Sequence, residues 1–181
     1  MKRLFEIDLK DYKESGNVFR RPSARAVIRK GDKIALVYSK KEKYYKFPGG
    51  GIHDDEDKRQ ALVREVREEV GMVVIPESIR EFGSVLRRQK SDRGEDTIFE
   101  QENFYYFCDV EDKLVEQELD DYESDAEFVL RIVDLDTAKE LSRCATACQG
   151  YALHFNSFQR CISIVSYIRG ELKKCSLRDS D

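Results

Sequence analysis

The chain has 181 residues and carries 32 Lys and Arg residues against 36 Asp and Glu residues, so its formal net charge at pH 7 is −4. Charges of both signs are spread along it, and this balance does not predict nucleic acid as an obligatory partner. Five cysteines without a regular framework fit reduced thiols, and two histidines supply a Ser-His-Asp or Cys-His mechanism poorly.

The first 19 residues are predicted to be an N-terminal extension. Met1 to Phe5 are followed at once by Glu6 and Asp8, so this segment lacks the apolar centre of a signal peptide. No later run of the chain approaches the length of a membrane span. We therefore predict a cytoplasmic protein without a membrane partner.

Strand and helix signals alternate through the rest of the chain. The predicted strands cover residues 24–29, 33–39, 79–88, 97–110 and 128–135, and two of the predicted helices cover residues 137–148 and 157–173. Lys30, Gly31 and Asp32 predict a hairpin turn between the first two strands. The mixture predicts a single α+β domain over residues 20–174, with residues 175–181 as a frayed tail.

A further helix is predicted from Lys58 to Val70, because good helix formers fill this segment and Gly71 stands where a helix C′ glycine belongs. One arc of this helix is apolar and would face the core: it contains Leu62, Val63, Val66 and Val70. The adjacent arc contains Glu65, Glu68 and Glu69. These carboxylates repel one another by about a few tenths of a kcal/mol per pair, a penalty that a hard divalent cation would turn into binding energy. The alternative is a solvated acidic face balanced by Arg64 and Arg67.

The segment from Gly50 to Met72 follows the pattern G-x5-E-x7-R-E-U-x-E-E-x-G-U, in which U is an aliphatic residue. The defined positions are Gly50, Glu56, Arg64, Glu65, Val66, Glu68, Glu69, Gly71 and Met72. Gly50 lies in a glycine-rich loop, residues 48–51, in which the backbone can approach a ligand closely, and the other defined positions follow this loop. The pattern resembles the signature of the Nudix hydrolases at every defined position.

The resemblance implies a Nudix-type α/β/α sandwich with a mixed β-sheet. It also implies hydrolysis of a diphosphate linkage in a nucleoside diphosphate joined to another group, with Mg²⁺ or Mn²⁺ as the cofactor that activates the attacking water. Glu68, Glu69 and the backbone carbonyl of Gly49 are the expected metal ligands. Glu65 is expected to be a further ligand or the general base.

Two residues of the motif are expected to orient the others. Glu56 and Arg64 would hold the loop against the helix, and Glu56 would alternatively reach a metal through a water molecule. Glu102, on a predicted strand with Glu100, is a further candidate metal ligand. Arg20, Arg21 and Arg25 are candidates for bidentate contacts to phosphate groups, Tyr45 for stacking on a base, and Gly50 for a close backbone approach to the substrate.

The leaving group stays open, because the region from Leu86 to Lys90 has neither the proline of the ADP-ribose subfamilies nor the tyrosine of the dinucleoside polyphosphate subfamilies. The predicted partner is a small phosphorylated molecule, and a homodimer is left open. One alternative is a non-catalytic Nudix-fold module for nucleotide sensing or protein interaction, although such modules commonly lose glutamates that are kept here. Another is isopentenyl diphosphate isomerase, which shares the fold but requires a histidine-bearing metal site and an active cysteine.

Overall fold

The computed structural model describes residues 1–94, 96–134, 136, 137, 164 and 168 of the chain. These residues belong to two compact units. The first contains Met1–Ile28 and Pro48–Glu118, and the second contains Arg29–Phe47 and the described part of Leu119–Asp181. Within the described ranges, no helix is long and apolar enough to cross a membrane.

Most of the described elements are β-strands. In chain order they are β1 (Arg3–Asp8), β2 (Asn17–Arg20), β3 (Ser23–Lys30), β4 (Lys33–Ser39), β5 (Tyr44–Lys46), β6 (Met72–Val74), β7 (Arg80–Lys90), β8 (Thr97–Cys108), β9 (Val110–Leu114) and β10 (Phe128–Asp134). The helices are α1 (Lys58–Val70), the 3₁₀ helix Pro76–Ser78 and α2 (Asp121–Asp125).

The first unit is built on a mixed sheet with the strand order β1-β7-β8-β3. β1 is parallel to β7, β7 is antiparallel to β8, and β8 is parallel to β3. β2 pairs in parallel with residues 97–100 of β8, and β6 and β9 form a small sheet of their own. The mixed pairing confirms the predicted α+β class. Residues 1–19, the predicted extension, supply β1 and most of β2, and the predicted domain boundaries stay predictions.

Helix α1 has the bounds that its sequence predicts, because both of its ends are capped. The side chain of Asp57 accepts hydrogen bonds from the backbone N–H groups of Arg59 and Gln60, and the Gln60 side chain accepts one from the Asp57 N–H in return. At the other end Gly71 has φ 64°, in the left-handed region, and its N–H donates to the carbonyl of Arg67. The caps therefore set the length of the helix that carries the motif glutamates.

The apolar arc of α1 lies in the core of the first unit. Leu62, Val66 and Val70 are buried as predicted, whereas Val63 is only partly buried. Burial of each large aliphatic side chain contributes about 1.5–3 kcal/mol. Ala61, one turn from Glu65, is also fully buried. This burial holds α1 in place in the unit.

The second unit is a smaller antiparallel arrangement. β4 pairs with β10 along residues 33–39 and with β5 along residues 37–39. Its aromatic cluster is centred on the buried Phe128, whose ring meets those of Tyr44 and Tyr122 edge-on and lies under the ammonium of Lys46. Edge-to-face pairs of this kind add to the stabilisation that burial supplies.

The longer predicted strands are confirmed. The β3–β4 hairpin pairs Arg29 with Ile34 and turns at Gly31, which has φ 66°, and β7 pairs with β8. The short elements β1, β2, β5, β6, α2, the 3₁₀ helix and all of β9 beyond Val110 were not predicted. The predicted helices at 137–148 and 157–173 and the tail at 175–181 lie outside the described residues, except that Thr137, Ile164 and Ile168 are helical.

Candidate active site

The glycine-rich loop, residues 48–51, is joined to β3 by backbone hydrogen bonds. The N–H of Ala24 donates to the carbonyl of Gly50 at 3.0 Å, and the N–H of Ala26 donates to that of Pro48 at 2.8 Å. Gly49 has φ 128°, and a Cβ atom there would lie 2.1 Å from the carbonyl oxygen of Ala24. The close approach of the loop to β3 therefore requires glycine at position 49.

Two motif glutamates of α1 are buried beside this loop. Glu69 is 1% exposed, and its Oε2 accepts a hydrogen bond of 2.8 Å from the N–H of Gly49. Glu65 is 9% exposed and lies so close to Gly50 that a Cβ atom there would be 2.1 Å from the Glu65 Oε2. The two glycines thus allow the two carboxylates to approach the backbone of the loop.

Glu65 and Glu69 form a close pair of acidic groups, with carboxylate oxygens within 4.8 Å of each other. Burial raises the pKa of Glu65, and the charge of Glu69 raises it further, whereas Arg64 and Arg25 lower it. Two buried carboxylates at this separation repel each other unless a cation compensates them. Their oxygen atoms are the donors that Mg²⁺ and Mn²⁺ prefer, so the residues fit the predicted cofactor.

Arg64 links the loop to three acidic residues. Its guanidinium holds Glu56 through two hydrogen bonds of 2.6 and 3.0 Å, and it donates at 2.9 Å to both Glu65 and Glu68. It also donates to the carbonyl of Gly51 at 3.1 Å. These are the contacts that the predicted orienting role of Arg64 and Glu56 requires, and the role itself stays a prediction.

The contacts of Arg64 lower the pKa of Glu56. The hydrogen bonds from Arg64 hold the pKa of Glu56 at about 2, with a further contribution from the N–H of His53. Glu56 is therefore ionised over the physiological pH range, and its charge is matched by the guanidinium. Such charge-assisted, two-point contacts are the strong class of hydrogen bond.

Arg25 is the predicted phosphate contact that the structure brings closest to the motif. It extends from β3, and its Nη1 donates to the carbonyl oxygen of Gly49, the predicted metal ligand. Its charge also lowers the pKa of Glu65. A carbonyl oxygen has two lone pairs, so the contact with Arg25 leaves Gly49 able to bind a cation. Arg25, Gly49, Glu65 and Glu69 thus lie together.

The other predicted phosphate contacts lie elsewhere. Arg20 is exposed and forms an ion pair with Glu100 at 2.8 Å, and Glu100 is also held by Arg88. Arg21 reaches the end of the glycine-rich loop, where a Cβ atom on Gly51 would be 3.4 Å from its Nε. Both roles stay predictions, and Arg21 is the better placed of the two.

Glu102 and Tyr45 have other neighbours in the structure. The carboxylate of Glu102 accepts hydrogen bonds of 2.6 Å from Arg3 and from Ser84, so a contact with a metal would require it to leave them. Tyr45 belongs to the second unit, where its ring lies 4.6 Å from that of Tyr38. Their predicted roles in metal and base binding stay untested.

A row of buried polar residues on the first unit's sheet was not predicted from the sequence: Ser23, Arg87, Gln101 and Asn103. Ser23 donates to Asn103 at 2.8 Å, and Arg87 donates to Gln89 at 2.9 Å with the Phe99 ring 5.5 Å from its guanidinium. In β3 and β8 these residues alternate with the positions of Ala24 and Glu102, so they lie on the opposite face from those. The polar alternation of β8 was visible in the sequence, but it did not indicate which face is buried.

Comparisons with known proteins show the family. The family model of the NUDIX domain matches residues 19–146, a range that runs through both compact units. A comparison with curated proteins gave no match.

Solved structures show the same fold. A mutator MutT protein from Bacillus halodurans is 18% identical with a TM-score of 0.53, over 67% of this chain and 72% of that protein. A NUDIX hydrolase from Nitrosomonas europaea is 20% identical with a TM-score of 0.53, over 80% and 86%. At these identities the structures establish likeness of fold, and the family match extends over most of the chain. The chain therefore belongs to the Nudix family and is a Nudix-type pyrophosphohydrolase.

Proposed function

We propose that this enzyme hydrolyses the diphosphate linkage of a nucleoside diphosphate joined to another group, and that it requires Mg²⁺ or Mn²⁺. The observation that carries the proposal is the buried pair of Glu65 and Glu69 beside the glycine-rich loop. A buried pair of like charges costs stability, and a divalent cation is the ligand that would offset this cost.

The metal would be held by Glu68, Glu69 and the carbonyl of Gly49, with Glu65 as either a further ligand or the general base. Bound there, it would neutralise charge on the phosphoryl oxygens and lower the pKa of a water molecule. Glu68 lies on the same helical turn as Glu69 and now contacts Arg64 at 2.9 Å. Glu56 is held by Arg64 in two-point contacts, so its part is to orient the loop.

The chain's own side chains would share the remaining work. As the general base, Glu65 would take a proton from the attacking water. In the metal-free chain its pKa is raised by burial and by the charge of Glu69. Arg25 would bind a phosphate oxygen beside Gly49, because a guanidinium can contact two such oxygens at once. Arg64 would keep Glu65 and Glu68 oriented, because it donates to both.

Water is the nucleophile in this proposal. Cys108 is buried, and burial raises the pKa of its thiol to about 12, so it does not supply a thiolate near neutral pH. Replacing Cys108 by Ser should leave turnover within about twofold. Hydrolysis in ¹⁸O-labelled water should place one label in one phosphate product and leave no covalent enzyme intermediate.

The substrate is a small phosphorylated molecule in this proposal, and the cytoplasm is the proposed location. Nucleic acid is not required as a partner, and the oligomeric state, including a homodimer, stays open. The experiment that tests the activity is a panel of nucleotide sugars, dinucleotides, dinucleoside polyphosphates and nucleoside triphosphates, each assayed for phosphate or phosphomonoester release with Mg²⁺ and with Mn²⁺.

The proposal would be supported if at least one diphosphate-linked compound is turned over. This turnover should be lost when EDTA removes the metal and restored when the metal is added back. Binding of nucleotides without any hydrolysis would favour the alternative of a non-catalytic sensing module. A trapped covalent intermediate would contradict water as the nucleophile.

A further inference from the structure

The C-terminal end of α1 is capped by a distant part of the chain. The last four carbonyl groups of any α-helix lack partners within the helix and must be satisfied from elsewhere. In α1 these carbonyls include those of Glu68 and Glu69, the two adjacent glutamates of the motif. Residues 115–118, which follow β9, lie against them, and we call residues 115–118 the cap segment.

Three hydrogen bonds join the cap segment to this end of the helix. The N–H of Glu118 donates to the carbonyl of Glu68 at 2.9 Å, and the N–H of Val115 donates to that of Gly71 at 2.8 Å. Between them, the side-chain amide of Gln117 donates to the carbonyl oxygen of Glu69. The cap segment thus satisfies the carbonyls of Glu68 and Glu69, two of those that a further helical turn would have satisfied.

Gly71 is what allows the cap segment to come so close. A Cβ atom at this position would lie 2.2 Å from the carbonyl oxygen of Val115, and φ of 64° disfavours any other residue. The same glycine therefore ends the helix and admits the segment. An ion pair of 3.0 Å between Arg67 and Glu118 adds an exposed contact, which contributes little by itself.

Glu69 is consequently held at two ends. Its carboxylate accepts the N–H of Gly49, and its backbone carbonyl accepts the Gln117 amide. Ends of helices fray, and loss of the last turn of α1 would move both Glu68 and Glu69. Groups that bind a metal must be held to within about 0.5 Å of their productive geometry. A side-chain contact to the backbone of Glu69 helps to hold its carboxylate in that geometry.

We propose that Gln117 is a positioning residue for divalent-cation binding: its amide fixes the last turn of α1 and thereby the carboxylates of Glu68 and Glu69. This inference rests on the proposed metal-dependent function. Gln117 touches neither substrate nor metal in this role. It acts through the carbonyl of Glu69, so its removal changes the affinity for the metal more than it changes the stability of the fold.

The test is Gln117→Met, which keeps the length of the side chain and removes the N–H donor. The dissociation constant of Mn²⁺ is measured by the electron paramagnetic resonance of the free ion at 0.15 M salt. We expect it to rise about tenfold, the lower end of the effect of removing a contact that supports a metal ligand. Gln117→Asn keeps the amide but falls one methylene short, so it should lose affinity in the same way.

Glu116→Met serves as the matched control, because Glu116 is the exposed neighbour of Gln117 and receives the same replacement. The charge of Glu116 is screened at this salt concentration. The Mn²⁺ affinity of Glu116→Met should therefore stay within about twofold of that of the unaltered chain. Melting temperatures in EDTA separate positioning from stability. We expect only a small fall in the melting temperature of Gln117→Met. Mn²⁺ binding is measured at a temperature well below the melting transition.

The outcomes are distinct. Unchanged Mn²⁺ affinity in both Gln117 variants, with or without a lower melting temperature, would overturn the positioning role and leave the proposed activity standing. Absence of Mn²⁺ binding by the unaltered chain would overturn the proposed metal site itself, and the positioning role with it. If Gln117→Met does not fold, Gln117→Asn carries the same comparison.

Discussion

At the scale of single residues, the site depends on which groups lie against each buried carboxylate. Glu69 is 1% exposed and accepts the N–H of Gly49, while Glu65 lies against Gly50 and has a raised pKa. Arg64 and Arg25 bring positive charge to the same place. Each carboxylate is therefore positioned by a specific neighbour. Single substitutions should consequently be able to weaken metal binding without unfolding the chain.

Glu69→Gln should lower turnover by at least about 100-fold at saturating Mg²⁺, because it removes a charged oxygen ligand and not merely a residue that supports one. The fold should persist, since glutamine still accepts the N–H of Gly49 and the like charge beside Glu65 disappears. We expect a melting temperature in EDTA equal to or above that of the unaltered chain. Turnover close to normal would remove Glu69 from the metal site.

At the scale of elements, α1 and the glycine-rich loop act as one piece. The loop is hydrogen-bonded to β3 through Ala24 and Ala26. The helix is hydrogen-bonded to the loop through Arg64 and Glu69. The two capped ends of α1 keep the glutamates in register with the loop. Changes in the loop should consequently have different effects according to what the added atoms meet.

Gly49→Ala and Gly50→Ala make a matched pair. At Gly49 the new methyl group meets the backbone of β3 at a φ of 128°, so we expect a loss of about 1–3 kcal/mol in the free energy of unfolding. At Gly50 the three atoms nearest to it belong to the carboxylate of Glu65, the end of a flexible side chain. Gly50→Ala should unfold at nearly the normal denaturant concentration yet lose most of its turnover.

Urea unfolding and kcat measurements on both variants check this contrast. Equal destabilisation of the two variants would contradict the different surroundings of positions 49 and 50 in the structure. A fully active Gly50→Ala variant would argue that Glu65 can leave its place beside Gly50 without loss of function.

The pair formed by Glu56 and Arg64 should give stability that depends on pH. The pKa of Glu56 is lowered from 4.5 to about 2 in the folded chain, so its stabilising contribution is fully present above pH 4.5 and is lost as the pH falls towards 2. Glu56→Gln should cost about 1.5–3 kcal/mol at pH 7, the usual worth of hydrogen bonds to a charged group. The difference from the unaltered chain should shrink as the pH falls through this window.

Urea unfolding of both proteins from pH 7 down to the onset of acid unfolding measures this difference. A difference that stays constant down to pH 3 would contradict the low pKa of Glu56. Turnover is a useful companion measurement, because loosening of the loop should also lower it.

At the scale of the whole molecule, binding of a metal is linked to folding. A site present only in the folded chain stabilises it by mass action, by about 2.7 kcal/mol at a metal concentration 100 times the dissociation constant. We therefore expect the melting temperature to rise in millimolar Mg²⁺ or Mn²⁺ compared with EDTA at matched ionic strength. The rise should be reduced in Glu69→Gln. Identical melting curves in both conditions would count against a preformed carboxylate site.

The sequence by itself determined the elements whose signals are local. Helix α1, its end at Gly71, the β3–β4 hairpin and the pair β7 and β8 follow from periodicity, capping and turn residues within short segments. The spacing of the motif also placed Glu65, Glu68 and Glu69 on one side of a helix, because 3.6 residues per turn is a fixed property of that element. The resemblance to the Nudix signature rests on the same local pattern.

The tertiary structure alone decided which distant groups meet these residues. Strand register determines that Arg25 reaches Gly49 and that Glu102 meets Arg3 and Ser84, and a shift of one residue would send each side chain to the other face. The contact of Gln117 with Glu69 joins residues 48 positions apart through a backbone carbonyl. Every residue carries such a carbonyl, so no side-chain pattern in the sequence could indicate which one would be capped, or by what.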